Sequence, residues 1–253
     1  PYIAHASLHR SYACSYFPCT RNTRAPYASN CASFPSGQYL ATKMLHSSPA
    51  TAAEYARLLA AFPVDAHAAT FFVSPFEEAT ILVMDGYGDE TAQSAYTGAG
   101  NRVERVAQSH IFDSLGMLYT AVTEHLGFKY FEEGTVMALA ATGDKTYAEK
   151  FRELVRLAPD GEFSINRDFI GYHTHGLNRP FKQRFIEAFG PQRAKDEPLA
   201  GRHRDLAFAL QHTVEETILH VVRALSKRHK SRNLCLFGGV ALNCVANARI
   251  LRD

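Results

Sequence analysis

The apolar positions fall into two rhythms, and their order along the chain predicts alternating strands and helices. Thr51-Ala-Ala-Glu54 has the form of a capping box and predicts a helix over residues 51–62. Residues 67–73 predict a second, short helix. Ala79-Thr-Ile-Leu-Val-Met84 is an almost unbroken apolar run that stops at Asp85-Gly86. A strand covered on both faces reads this way. Residues 93–98 and 102–110 alternate and predict the next two strands of an antiparallel meander.

Helical spacing then takes over. Leu115, Leu118, Tyr119, Val122 and Leu126 form one stripe over residues 114–126, with Gly127 as its stop. Residues 136–141 predict a short helix of small side chains closed by Gly143. Residues 147–157 predict a charged amphipathic helix. Residues 158–200 read as a connecting region with one helix at 181–189. A long helix over 205–228 places Leu206, Leu210, Val214, Ile218, Val221, Val222 and Leu225 at core spacing. Residues 233–237 predict a strand, Gly238-Gly239 follows at once, and a helix starts near Asn243. No internal repeat is visible. The mixture predicts an α/β fold.

Residues 1–50 break the pattern, with neither clean alternation nor helical spacing and with no Asp or Glu. An irregular leader, an Arg- and Ser-rich transit segment and sequence from outside the reading frame are the readings this stretch allows. It is left unassigned, apart from residues 51–253. The absence of an initiator Met, and the end at Asp253 inside a predicted helix, predict a piece of a longer protein.

Composition narrows the picture little. With 46% hydrophobic and 21% charged residues the chain has material for a core, and its net charge of +2 gives no field for nucleic acid or an acidic membrane. No apolar run is long enough to span a bilayer. Five cysteines at irregular spacing (Cys14, Cys19, Cys31, Cys235 and Cys244) make a poor disulfide framework and predict a cytoplasmic setting. The first three lack any C-x-x-C pair and are a weak metal cluster.

Four segments carry candidate chemistry. Residues 234–251 give a buried strand, two glycines and a helix start. There the backbone can approach a bound anion closely and offer free N–H donors; a tight strand-to-helix turn accounts for the same pattern. Asp85-Gly-Tyr-Gly-Asp-Glu90 puts an acid at a strand end, as phosphate and metal sites do, and as an Asp-Gly hairpin does too. His67 sits among small apolar residues, where a core histidine is the plainer reading. Glu133-Gly-Thr-Val-Met-Ala-Leu-Ala-Ala-Thr-Gly143 has room for close helix packing or a ligand. No P-loop, Rossmann fingerprint, H-E-x-x-H helix or nucleophile elbow is present.

In order, these segments resemble the carbamoyltransferase family that includes nodulation and antibiotic-tailoring enzymes. The resemblance rests on His67-Ala-Ala with Ser74-Pro-Phe-Glu-Glu-Ala79, and on Ile81-Leu-Val-Met-Asp-Gly86. It continues through Asp113-Ser-Leu-Gly-Met-Leu-Tyr119, Leu126-Gly-Phe128, Glu133-Gly134 and Met137-Ala-Leu-Ala140. It ends with Asp205, Gln211, Glu215 and Gly238-Gly-Val-Ala-Leu-Asn-Cys-Val-Ala-Asn247. The match covers about residues 60–253.

This resemblance implies an incomplete actin-like, ribonuclease-H-like domain of an ATP-dependent O-carbamoyltransferase. Carbamoyl phosphate and ATP would form carbamoyladenylate in a separate C-terminal adenylate-forming domain beyond this chain. The domain at hand would pass the carbamoyl group to the hydroxyl of a small acceptor, a sugar or natural product, with no nucleic acid or membrane involved. A divalent metal, iron by the resemblance, would polarise the carbonyl. His67 would be a metal ligand and, with Asp85, catalytic. Gly238, Gly239 and Asn243 would hold the nucleotide, and Asp85 and Glu133-Gly134 would line the pocket.

The chain departs from the family pattern where Pro63 takes the place of a second histidine and Thr135 that of a basic residue. The family's next metal-binding acid falls beyond Asp253. Those departures predict little turnover by this chain alone. An inactive nucleotide-binding or interaction module is the alternative; a sugar kinase on the same fold leaves His67 and Ser74-Pro-Phe76 unexplained.

Overall fold

The apolar run that ends at Met84 forms a central strand of a six-stranded sheet. The computed structural model describes residues 68–87, 91–175, 177, 179–194 and 196–253, and the strand backbones at 30–33 and 39–42. The strands are β1 (Asn30–Ser33), β2 (Tyr39–Thr42), β3 (Glu78–Met84), β4 (Thr91–Ala99), β5 (Arg102–His110) and, after the short hairpin β6 (Val155–Leu157) and β7 (Phe163–Ile165), β8 (Asn233–Phe237). The main sheet runs β1-β2-β8-β3-β4-β5. The pairs β2–β8 and β8–β3 are parallel, and the others are antiparallel. The predicted meander and the α/β class are both observed.

Both faces of β3 are covered, which is why its sequence does not alternate. Ile81 and Val83 pack with Phe71, Tyr96 and Cys235 on one face. Leu82 and Met84 join the main core on the other. A Cβ at Gly98 would stand 2.7 Å from the Phe71 ring, so the missing side chain on β4 makes room for Phe71.

The longer helices are α1 (Leu115–His125), α2 (Glu133–Ala140), α3 (Gln183–Phe189), α4 (Gly201–His229) and α5 (Cys244–Arg252). The stripe Leu206, Leu210, Val214, Ile218, Val221 and Leu225 on α4 is buried. At roughly 1.5–3 kcal/mol per fully buried aliphatic side chain, it supplies on the order of 10 kcal/mol before chain entropy is counted. Gly127 terminates α1 with φ +77°. Among the described residues no helix is long and apolar enough to cross a membrane.

Two predicted stretches come out differently. The helix expected over 147–157 is one α-helical turn, Ala148–Phe151, continued by a 3₁₀ turn over Arg152–Leu154, and the chain then enters β6, paired antiparallel with β7. Asp160 (φ +66°) and Gly161 (φ +86°) reverse the chain. Asn166 then caps the helical end, its backbone N–H donating to Leu154 O (2.8 Å) and its Nδ2 to Glu153 O (2.9 Å). Those carbonyls need no further turn of helix. Within residues 1–50, where the pattern predicts no element, β1 and β2 are strands of the main sheet. The predicted helix over 51–62 lies outside the described residues, and of the predicted 67–73 helix residues 68–73 form a 3₁₀ segment.

Candidate functional site

The site is built where two parallel strands end side by side. Val83 on β3 lies opposite Phe237 on β8, so Asp85, just past the end of β3, and Gly238-Gly239, just past β8, leave the sheet side by side. Ligands of open α/β sheets gather at such carboxyl ends. Gly238 has φ +95°, and a Cβ there would stand 2.0 Å from the Met84 carbonyl oxygen. Only glycine fits. A Cβ on Gly239 would meet Asp85 Oδ1 at 3.3 Å, which places the carboxylate directly against the glycine turn.

Asp85 is held by its neighbours. Its Oδ1 accepts from Gly86 N (2.7 Å). Ser114, the fully buried N-cap of α1, donates through Oγ towards Asp85 O (3.1 Å) and Gly86 O (2.7 Å). The same oxygen accepts from Met117 N (3.0 Å). A Cβ on Gly116 would stand 2.6 Å from Gly86 Cα, so the first turn of α1 lies backbone to backbone against the Asp85-Gly86 turn.

A second layer of polar groups ties α1, α4 and α5 together behind this turn. Tyr119 Oη donates to Gln211 Oε1 (3.0 Å). Gln211 Nε2 donates to Glu215 Oε1 (2.7 Å) and Asn243 Oδ1 (3.0 Å). Asn243 Nδ2 donates back to Gln211 Oε1 (2.9 Å), and its Oδ1 caps α5 by accepting from Ala246 N (3.0 Å). Of the amide's hydrogen-bonding capacity, one Nδ2 hydrogen is left for anything else. Arg249 bridges Glu215 (3.3 Å) and Glu216. Burial raises the Tyr119 phenol well above its ordinary range, and Glu133, Glu215 and Cys244 add to the rise. Glu133, at the start of α2, accepts from Thr120 Oγ1 (2.7 Å), on the residue next to Tyr119.

The structure brings together Asp85, Gly238 and Gly239 at the strand ends. It places Asn243 behind them and Glu133 beside Tyr119 and Thr120. Gly134 follows in the first turn of α2. His67 lies outside the described residues. Ser114, Tyr119, Gln211 and Glu215 belong to the segments that carry the resemblance but have no site role in it. Gln211 offers the clearest sign of one: a long polar side chain, 5% exposed, next to Leu210 on the buried side of α4. A buried amide needs partners, and those partners define a site.

Asp85, Glu133 and Glu215 are acceptors when ionised, so a ligand lying among them must bring hydroxyl or amine donors, with anion contacts left to backbone N–H groups at the glycine turn. Among the described residues, no three His, Cys, Asp or Glu side chains converge as metal donors. A separate pocket of about 600 Å³ lies between α4 and the β6–β7 turn. Its Arg223 and Arg228 face Asp253 (3.4 Å) and Asp160 (3.9 Å), so part of its positive charge is already neutralised.

A strand-end glycine turn here faces an acid in an α/β protein, with α1, α4 and α5 tied together behind it. The chain belongs to the family described as Carbamoyltransferase N-terminus, which matches residues 41–253. It is 40% identical over 191 residues to the uncharacterized protein sll1178 of Synechocystis, covering 74% of this chain and 31% of that protein. It is 35% identical over 184 residues to nodulation protein NolNO of Sinorhizobium fredii, covering 72% of this chain and 25% of NolNO. Nodulation protein NolO of Bradyrhizobium diazoefficiens is 32% identical over 189 residues, covering 74% of this chain and 32% of NolO. The chain thus spans about a third or less of these curated relatives.

Proposed function

We propose that this chain is the nucleotide-gripping part of an ATP-dependent O-carbamoyltransferase with an actin-like domain, acting on a hydroxyl acceptor. The observation that carries the reading is the pairing of Gly238, in a conformation only glycine tolerates, with Asp85 on the adjoining parallel strand end. In this reading the turn at Gly238-Gly239 holds the phosphate of a carbamoyladenylate through backbone donors, and Glu133 accepts from ribose hydroxyls. Asn243 acts chiefly as a brace, because most of its capacity goes to Gln211 and Ala246.

Asp85 accepts the acceptor's hydroxyl proton as the oxygen attacks the carbamoyl carbon. The carbon–oxygen bond to the phosphate then breaks, and AMP leaves with that electron pair. A metal at this site would polarise the carbonyl and steady the oxyanion. The described residues do not assemble its donor set, and His67 lies outside them, so no step is routed through it.

Calorimetry of the chain with ADP tests the grip. We expect one-to-one binding, weakened at least tenfold in Gly239→Val, whose larger side chain enters the space beside Asp85. Absence of ADP binding by the native chain refutes the reading. A carbamoyl-transfer assay with carbamoyl phosphate, ATP and hydroxyl acceptors separates it from the inactive-module alternative. ADP binding combined with no transfer when the missing C-terminal portion of a relative is supplied favours the inactive module.

A further inference from the structure

Six large apolar side chains are exposed among the described residues, and four of them lie within three residues in sequence of Asp85, Glu133 or Asn243. Tyr87 (68% exposed) is two residues past Asp85, and Val245 (40%) is two past Asn243. Tyr130 (52%) and Phe131 (54%) immediately precede the first turn of α2, which begins at Glu133. Tyr130 lies near enough to Glu133 and Asp85 to feel both carboxylates, and it carries Phe131 with it as a ring pair; apolar groups left exposed beside a polar site are available to a ligand.

Phe131 adds a backbone observation. It has φ +71°, a left-handed conformation that a bulky residue rarely adopts. The conformation does not bury the ring, which is left half exposed and set edge-on to Tyr130 with centroids 4.2 Å apart. Backbone held in an unfavourable well to present a side chain to solvent is characteristic of ligand clamps. The loop is tied down next to the rings, with Lys129 N donating to Glu132 Oε2 (2.6 Å) and Glu132 N donating to Lys129 O (3.0 Å).

The spacing fits one ligand. Ser114 pins the Asp85-Gly86 turn at the start of α1, and Thr120, six residues on, binds Glu133. At helical rise that is about 9 Å. Moving along α1 from the glycine turn, a ligand would meet anion donors, then a carboxylate that accepts from hydroxyls, then two aromatic faces. Phosphate, ribose and base come in the same order in a nucleotide. Burial raises the Tyr130 phenol, and Glu133, Asp85 and Glu124 raise it further, which keeps its O–H a donor beside these carboxylates.

We propose that Tyr130 and Phe131 form an aromatic platform that stacks the nucleobase of the nucleotide whose phosphate sits at Gly238-Gly239. The proposal rests on the nucleotide reading above. Losing base stacking on a side chain weakens binding about tenfold or more. Calorimetry with ADP on the full 253-residue chain is therefore run on the native protein, Tyr130→Ala/Phe131→Ala, and Tyr130→Phe/Phe131→Tyr, with a thermal melt of each. We expect the double alanine variant to lose at least tenfold in ADP affinity with its melt preserved, and the swapped aromatic pair to keep native affinity. If the alanine variant melts early, Phe131→Gly, which frees the backbone while deleting the ring, is measured instead with the same tenfold expectation. Equal ADP affinity in native and ring-deleted chains overturns the platform and leaves the nucleotide reading standing. Failure of the native chain to bind ADP overturns both.

Discussion

Replacing Gly238 by alanine isolates the strand-end geometry. The residue has φ +95°, ψ 170°, a region essentially restricted to glycine, and an alanine there costs about 1–3 kcal/mol in backbone strain. The new Cβ would also stand 2.0 Å from the Met84 carbonyl oxygen. That oxygen is backbone on the neighbouring strand, so it cannot swing away as a side-chain tip would, and relief by shifting packed structure costs about 1–3 kcal/mol more. The sum, roughly 2–6 kcal/mol, is a large share of the roughly 5–15 kcal/mol that holds a typical domain together. Gly239→Ala is the matched control. Its φ is not positive and its Cβ meets only the Asp85 carboxylate at 3.3 Å, so a loss below about 1 kcal/mol is expected. Urea unfolding followed by far-UV circular dichroism reads both. A Gly238→Ala chain with a midpoint within experimental error of native, or a Gly239→Ala chain that loses more, would show that the close approach of β3 and β8 has been misjudged.

Two further outcomes follow from the buried polar groups. Gln211→Leu leaves Tyr119 Oη, Glu215 and Asn243 short of a partner, and a loss of roughly 2–4 kcal/mol in a denaturant titration is expected. A stable Gln211→Leu chain would mean the network holds nothing in place. His125 is 4% exposed, set edge-on to Phe181 and Phe185. Burial first, then the charges of Arg202 and His203, lower its imidazole to about 4, against the raising effect of a Gly190 backbone hydrogen bond. Burial lowers His203 too, with Arg202 and Arg193 adding to the fall and Glu197 opposing it. The unfolded chain binds the proton at about pH 6.5 and the folded chain only near 4. Stability is thus full above pH 6.5 and declines as pH falls towards 4, by roughly 3 kcal/mol at most from His125. Urea midpoints between pH 7 and 4.5 should fall less steeply in His125→Phe; parallel slopes would remove His125 as the cause.

Much of this architecture is written locally. The unbroken apolar run at 79–84 predicts a doubly covered strand, and β3 has that environment because α1 and α4 lie over one face and Phe71 over the other. Residues 233–237 carry the same signal for β8, and the glycines after them mark the turn. What the sequence conceals is long-range. Nothing in residues 30–33 or 39–42 announces strands, because β1 and β2 are short and their partners are each other and β8. Phe151, Leu154 and Val155 sit at helical spacing, yet Asn166 ends that helix through bonds to Leu154 and Glu153, 12 and 13 residues away. The candidate site divides in the same way. Asp85, Gly238 and Gly239 stand out by type and position, while the partnership of Tyr119, Gln211 and Asn243 joins three helices and has no local mark.

The strand order has a consequence for how such a sheet is assembled. Among the described strands β8 comes last in sequence, and it lies in the middle, between β2 and β3. During synthesis the meander β3–β4–β5 can zip locally, but one edge of β3, rich in Ile, Leu and Val, stays open until about 150 more residues have left the ribosome. An open apolar edge invites pairing with other chains. The glycine turn, which follows directly on β8, therefore takes shape only when that vulnerable interval closes, and covering the open edge of β3 and bringing Gly238-Gly239 against Asp85 become a single late event.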